Sequence, residues 1–173
     1  MTTREQCEML YKSAFGESPE FDKMLFDLFF ENIEVLKIGD EVAAMYFKIP
    51  CFLILDNTRI KADYIYAVTT ADKYRRKGLM SKLFADTQTD TDTVYFLKPS
   101  SEGVIAFYEQ AGFKKIIGTR AQSNATIEVN DNFKKLSALC DKPQNEYPIM
   151  IKGNADIDRL TFEYTLEYLL SNY

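Results

Sequence analysis

Three adjacent cations, Arg75, Arg76 and Lys77, stand immediately before Gly78, and Gly78 opens a run with helical spacing. A helix start offers backbone N–H groups with no intrahelical partner and about half a positive charge from the macrodipole, so it is a ready anion site. Gly78 has no Cβ to obstruct a bulky diphosphate, and the three cations add a field of the same sign. From the residues alone two readings stay open: a phosphate-binding turn, or a solvated basic turn before a helix. A Walker loop would need Gly-x-x-x-x-Gly-Lys-Ser/Thr and a dinucleotide fold three spaced glycines after a strand. Neither is present.

The elements that must position this turn are legible on both sides of it. Tyr64, Ile65, Tyr66, Ala67 and Val68 form an apolar, aromatic-rich run with strand character, predicted to begin near Ile60. Further on, Val94 to Leu97 reads as a short strand that Pro99 stops. Ser100 or Ser101 can then cap a helix whose Val104, Phe107, Tyr108 and Ala111 fall at helical spacing before Gly112 ends it.

These residues carry a resemblance. Val68, Thr69, Thr70, then Tyr74, Arg75, Arg76, Lys77, Gly78, Leu79, Met80 and Ser81 resemble the acetyl-CoA signature of the GNAT superfamily of N-acyltransferases, Arg/Gln-x-x-Gly-x-Gly/Ala. Arg75 and Gly78 match it, whereas Met80 replaces the small residue; a Met or Leu there is similar to the enhanced-intracellular-survival branch of aminoglycoside acetyltransferases. The words Phe96-Leu97-Lys98-Pro99 and Phe107 to Phe113 are similar to the strand and helix that follow the CoA loop in that family, and the motif-bearing match covers roughly residues 33 to 117. The resemblance implies a single-domain α+β fold over residues 1–173, a twisted mixed sheet whose central parallel strands splay apart, flanked by helices. It implies acetyl-CoA as co-substrate, no metal, and backbone contacts from Val68, Thr69, Thr70, Arg75, Arg76, Lys77, Gly78, Leu79, Met80 and Ser81. It also implies that Tyr108 lies near the cofactor sulfur.

Composition narrows the remaining classes. At 173 residues, 46% of them hydrophobic, the chain is sized for one domain with a substantial core. A formal charge of −5 argues against nonspecific nucleic-acid binding, which needs a basic face, and fits a cationic partner better. Cys7, Cys51 and Cys140 are an odd, widely spaced set with no histidine anywhere, so neither a disulfide framework nor a zinc cluster is expected and a reducing cytoplasmic setting is. No run approaches the length of a membrane span, and the N-terminus lacks the apolar core of a signal peptide. The expected partner is a small-molecule amine, with no nucleic acid and no membrane; a homodimer is left open.

Taken in order, Thr2 or Thr3 can cap a helix to about Phe15 with Cys7, Leu10, Tyr11 and Ala14 as its buried stripe, and a second, very apolar helix is predicted over Glu20 to Phe30. Phe21, Leu25, Leu28 and Phe29 are read as core or as the wall of a substrate cleft. Strands follow at Ile33 to Ile38, Val42 to Ile49, Phe52 to Leu55 and Ile60 to Val68. Later strands are predicted at Phe113 to Ile117, Ala125 to Val129, Tyr147 to Ile151 and, by a period of two, Leu160 to Tyr168, with a short helix at Asn132 to Leu139.

Acyl transfer from a thioester to an amine requires a deprotonated nitrogen, a polarised carbonyl and a stabilised thiolate. A backbone N–H between Val68 and Thr70 would polarise the carbonyl in the family manner, and Tyr108 would serve the thiolate. A phenol near pKa ~10 giving its proton to a thiolate whose acid is near ~8.5 is uphill by about 2 kcal/mol, so a hydrogen bond with transfer completed only as the amine loses its proton is expected. The base is unassigned among Glu34, Asp63, Glu102, the C-terminal carboxylate and a water chain. Two other classes compete: a catalytically silent CoA-binding sensor, and an interaction domain on the same scaffold. The net negative charge, the Phe21 to Phe30 segment, Tyr64 and Tyr66 point to an acceptor that is cationic with an apolar body; the competing reading makes those aromatics core.

Overall fold

The computed structural model describes residues 1–16, 18–115, 125–139 and 149–153. The chain is a mixed α+β fold, an open mixed sheet flanked by helices, with strands β1 (Ile33–Ile38), β2 (Glu41–Leu55), β3 (Thr58–Thr70), β4 (Val94–Leu97), β5 (Lys114–Lys115), β6 (Ala125–Glu128) and β7 (Met150–Lys152) hydrogen-bonded in the order β1-β2-β3-β4-β7-β5 and β6 on β2. Two compact units divide it: Met1–Ile49 with Ile65–Thr89, and Pro50–Tyr64 with Asp90–Tyr173.

In the first unit, helix α1 (Thr3–Ala14) starts at Thr2, whose hydroxyl accepts from the Glu5 N–H while the Glu5 carboxylate accepts from the Thr2 N–H. Helix α2 (Pro19–Phe29) starts at Ser18 with Pro19 in its first turn, where the missing N–H costs nothing. Tyr11 packs edge-on against Phe26 at 5.7 Å and Phe47 at 6.4 Å, and Phe26 against Phe47 at 5.4 Å. Phe21, Leu25 and Phe29 are buried and Leu28 half-buried, so the apolar helix spends most of its aromatic face on the core. The predicted stripe of α1 is narrower than its spacing implied: Cys7 and Tyr11 are buried, Leu10 is half-buried and Ala14 exposed. Strand β1 (Ile33–Ile38) pairs antiparallel with the first half of β2 (Glu41–Leu55) through the Gly39-Asp40 turn.

The two strands predicted at Val42 to Ile49 and Phe52 to Leu55 are one continuous strand, β2, running through Pro50. Proline has no N–H to give to a ladder, and Pro50 lies between the stretch of β2 paired with β1, up to Phe47, and the stretch paired with β6, from Phe52.

In the second unit, the first half of β3 (Thr58–Thr70) pairs in parallel with β4 (Val94–Leu97), from Ala62 with Val94 to Tyr64 with Phe96. Ala62, Asp63, Tyr64 and Val94 to Leu97 are all buried, which is why both segments read as near-continuous apolar runs. Helix α4 (Ile105–Gln110) leads to β5 (Lys114–Lys115). Strand β6 (Ala125–Glu128) precedes α5 (Asp131–Ser137), whose first turn is capped by the Asn130 side chain accepting from the Phe133 N–H at 2.8 Å. Strand β7 (Met150–Lys152) lies antiparallel between β4 and β5. Of the strand predicted at Phe113 to Ile117, Lys114–Lys115 are strand and 116–117 lie outside the described residues; of that at Tyr147 to Ile151, the strand is Met150–Lys152 and 147–148 lie outside them, as do the Leu160 to Tyr168 strand, Cys140 and the C-terminal carboxylate.

Candidate functional site

The basic turn belongs to the first unit and is built from the end of β3 onward. Ala67 sits inside the strand with φ 53, a left-handed conformation that breaks the regular pleat just before Val68, Thr69 and Thr70. The Ala71 N–H then bonds to the Ala43 carbonyl at 2.9 Å, and a single 3₁₀ turn, Asp72–Tyr74, follows. After it come Arg75 in an extended conformation, Arg76 with φ 59 and Gly78 with φ 71, ψ 8. Two left-handed residues separated by one carry the chain into helix α3 (Leu79–Thr87). Such alternation of hand turns successive N–H groups into one concavity.

The first intrahelical bond of α3 runs from the Lys82 N–H to the Gly78 carbonyl at 3.0 Å, so the N–H groups of Leu79, Met80 and Ser81 are not claimed within the helix. A Cβ built on Gly78 meets nothing within 4 Å. Glycine therefore serves here through its positive φ rather than through lack of room for a side chain. Met80, the residue that departs from the family signature, is buried with Leu83 and Phe84, so its bulk is on the core side of α3.

The cations divide in role. The Arg75 guanidinium is folded back, donating to the Thr70 carbonyl at 3.1 Å and pairing with Asp72 at 2.8 Å. Lys77 lies over the Tyr74 ring at 5.4 Å, and Arg76 is exposed with no ion pair among the described residues. The far end of α3 is tied down as well: Lys48 donates to the Thr87 carbonyl at 3.2 Å, and the Tyr46 ring meets Phe84 edge-on at 5.0 Å. Lys48 also holds Glu34 at 2.6 Å, so this candidate base is already committed to an ion pair.

Tyr108 belongs to the second unit. A 3₁₀ turn at Glu102–Val104 leads into α4, and neither start has the side-chain cap expected of Ser100 or Ser101. Ile105 and Tyr108 carry the buried face; Val104, Phe107 and Ala111 are half-buried. Tyr108 is 7% exposed, with ring centroids 5.2 Å from Phe107 and 5.9 Å from Phe113. Burial pushes its phenol well above the usual tyrosine range, which keeps it a protonated hydrogen-bond donor at neutral pH. Asp63 is buried in β3 of the same unit, while Glu102 is exposed. Burial also pushes the Cys7 thiol up to about 11 and the Cys51 thiol higher still, so neither is a ready nucleophile. Among the described residues no cluster of His, Cys, Asp or Glu could hold a metal, and no helix is long and apolar enough to cross a membrane.

Sequence reading missed the left-handed Ala67 and Arg76 and the contacts of Glu41 with the turn. None has a spacing signal, since a non-glycine residue at positive φ and a pair 33 positions apart leave no local pattern.

A family model described as an acetyltransferase (GNAT) domain matches residues 2–116. Similar solved structures include a GCN5-related N-acetyltransferase from Anabaena variabilis (19% identity over 65% of this chain and 29% of that one, TM-score 0.54). The GNAT family N-acetyltransferase YhbS from Escherichia coli, solved in complex with CoA, is 16% identical over 88% of this chain and 77% of that one, with a TM-score of 0.54. Eis1 from Mycobacterium abscessus is 15% identical over 67% and 30%, with a TM-score of 0.50. The chain thus spans less than a third of the length of the Anabaena and Mycobacterium proteins. At these identities the likeness is one of fold. No curated protein sequence matches the chain.

Proposed function

Because the chain belongs to the GNAT acetyltransferase domain family, we propose that it transfers an acetyl group from acetyl-CoA to a primary amine of a small molecule, by direct attack within a ternary complex. The observation that carries this reading is the head of α3: left-handed Gly78, unclaimed N–H groups on Leu79, Met80 and Ser81, and Arg76 and Lys77 exposed beside them. In this reading the CoA diphosphate takes those N–H groups, with Arg75 shaping the loop from behind, and the pantetheine pairs with Val68, Thr69 and Thr70 as an added strand.

The amine nitrogen attacks the thioester carbon, the C–N bond forms and the C–S bond breaks. The amine proton passes to a base or water. The thiolate takes a hydrogen bond from the Tyr108 phenol and is protonated through it as the amine proton is returned, by base or water, to the phenol, so that no phenolate is left behind. The acceptor class is an amine with a further positive charge, supported by the net charge of −5. The buried Phe21, Leu25 and Phe29 no longer argue for its apolar body. Met80 in the signature and the likeness to Eis1 support placing the chain near that branch, and its cysteine usage supports a reducing cytoplasmic setting.

Calorimetry with CoA, followed by an amine library assayed with acetyl-CoA for free thiol, tests the reading; thiol release with no amine preference, or no CoA binding, rejects it. A second reading, a CoA-binding sensor without turnover, draws on one observation: the chain has no histidine, and Glu34 is tied to Lys48. CoA binding without thiol release from any amine would select it.

A further inference from the structure

The turn that delivers the chain to the anion loop is held at both ends by one strand. Its entrance is fixed by the backbone, where Ala71 N–H meets the Ala43 carbonyl at 2.9 Å. Its exit is fixed by a side chain on the same strand: the Glu41 carboxylate accepts from the Tyr74 hydroxyl at 2.6 Å and pairs with Lys73 at 2.5 Å. Lys73 also lies over the Tyr74 ring at 5.1 Å, so carboxylate, ammonium and phenol form one closed contact. Lys73 first and Tyr74 second hold the Glu41 carboxyl below its usual range, so it stays ionised at neutral pH.

Beyond Tyr74 the chain must adopt two left-handed residues, Arg76 and Gly78. The non-glycine one is a conformation that persists only where its surroundings fix it. We infer that Glu41 is a positioning residue of the CoA loop, clamping the Asp72–Tyr74 turn through Tyr74 and Lys73 so that the N–H groups at the head of α3 are held in one concavity before the ligand arrives. The inference rests on the reading that this loop binds CoA. Glu41 and Lys73 are each more than half exposed, at 54% and 62% of the side chain, and exposed pairs contribute little to global stability. Their effect falls instead on the fraction of molecules whose loop is ready to bind, which scales the apparent affinity directly.

The test is calorimetry with CoA on the full chain and on Glu41→Ala, Tyr74→Phe, the double variant and Glu41→Gln, with thermal melting alongside. Glu41→Ala and Tyr74→Phe should each raise the Kd about three- to tenfold, the size of one solvent-exposed hydrogen bond. The double variant should be no worse than Glu41→Ala, because both remove the same contact. Glu41→Gln, which still accepts from the Tyr74 hydroxyl, should recover part of the affinity, and melting temperatures should not move. A wild-type chain that binds CoA with variants that bind equally well overturns the clamp alone, as do additive losses. A wild-type chain that does not bind CoA overturns the reading of the loop and the clamp with it.

Discussion

The basic loop before α3 and the Tyr108 helix are built in opposite ways. The loop is exposed and charged, and its shape comes from backbone hand and from hydrogen bonds to β2: positive φ at Arg76 and Gly78, the Ala71–Ala43 bond, and Arg75 turned inward. Tyr108 is buried among aromatic rings on a helix of six residues, and its chemistry is set by exclusion of water. On the proposed reading, conformation counts for more than side-chain identity in the first region, and in the second one hydroxyl is the whole functional group.

That contrast gives the predictions their order. Tyr108→Phe removes only the hydroxyl, so turnover should fall by about 10², a typical acid-catalysis factor, while CoA affinity stays unchanged; an unaltered rate removes Tyr108 from the mechanism. Gly78→Val forces a β-branched residue to φ 71, a conformation that L side chains rarely adopt. Strain of about 1–3 kcal/mol predicts a Kd for CoA raised by about fiftyfold in calorimetry. Arg76→Ala deletes a charge in solvent and leaves the N–H groups in place, so the loss should be about threefold. Equal losses for Gly78→Val and Arg76→Ala would break the comparison, since side-chain charge would then matter as much as backbone shape.

The smallest effect is a titration. An ultraviolet difference titration of wild type against Tyr108→Phe should place the phenolate of Tyr108 above the ~10 of an exposed tyrosine. The folded pKa is raised above the unfolded one. The stability it contributes is therefore full below about pH 10 and is lost as pH rises towards the folded value, because the unfolded chain ionises first. Tyr108→Phe should lose less stability than wild type over that alkaline window. An identical alkaline profile would mean that the phenol is solvated and that the two regions do not differ as described.

The sequence by itself determined what local chemistry can specify. The cap at Thr2, the apolar runs of β3 and β4, and Gly78 at the head of α3 each follow from residues a few positions apart. The candidate loop was legible for the same reason, as cations, glycine and helix start are contiguous. Tertiary structure decided what depends on distant partners. It carried β2 through Pro50, in the gap between the stretch paired with β1 and the stretch paired with β6. It turned Phe21, Leu25 and Phe29 into core by placing aromatic partners around α2, where the helix periodicity fitted a cleft wall equally well. It committed Glu34 to Lys48, and Glu41 to a turn 33 residues on, because long-range ion pairs form only when strands bring their ends together, and no pattern along the chain records which charges will meet.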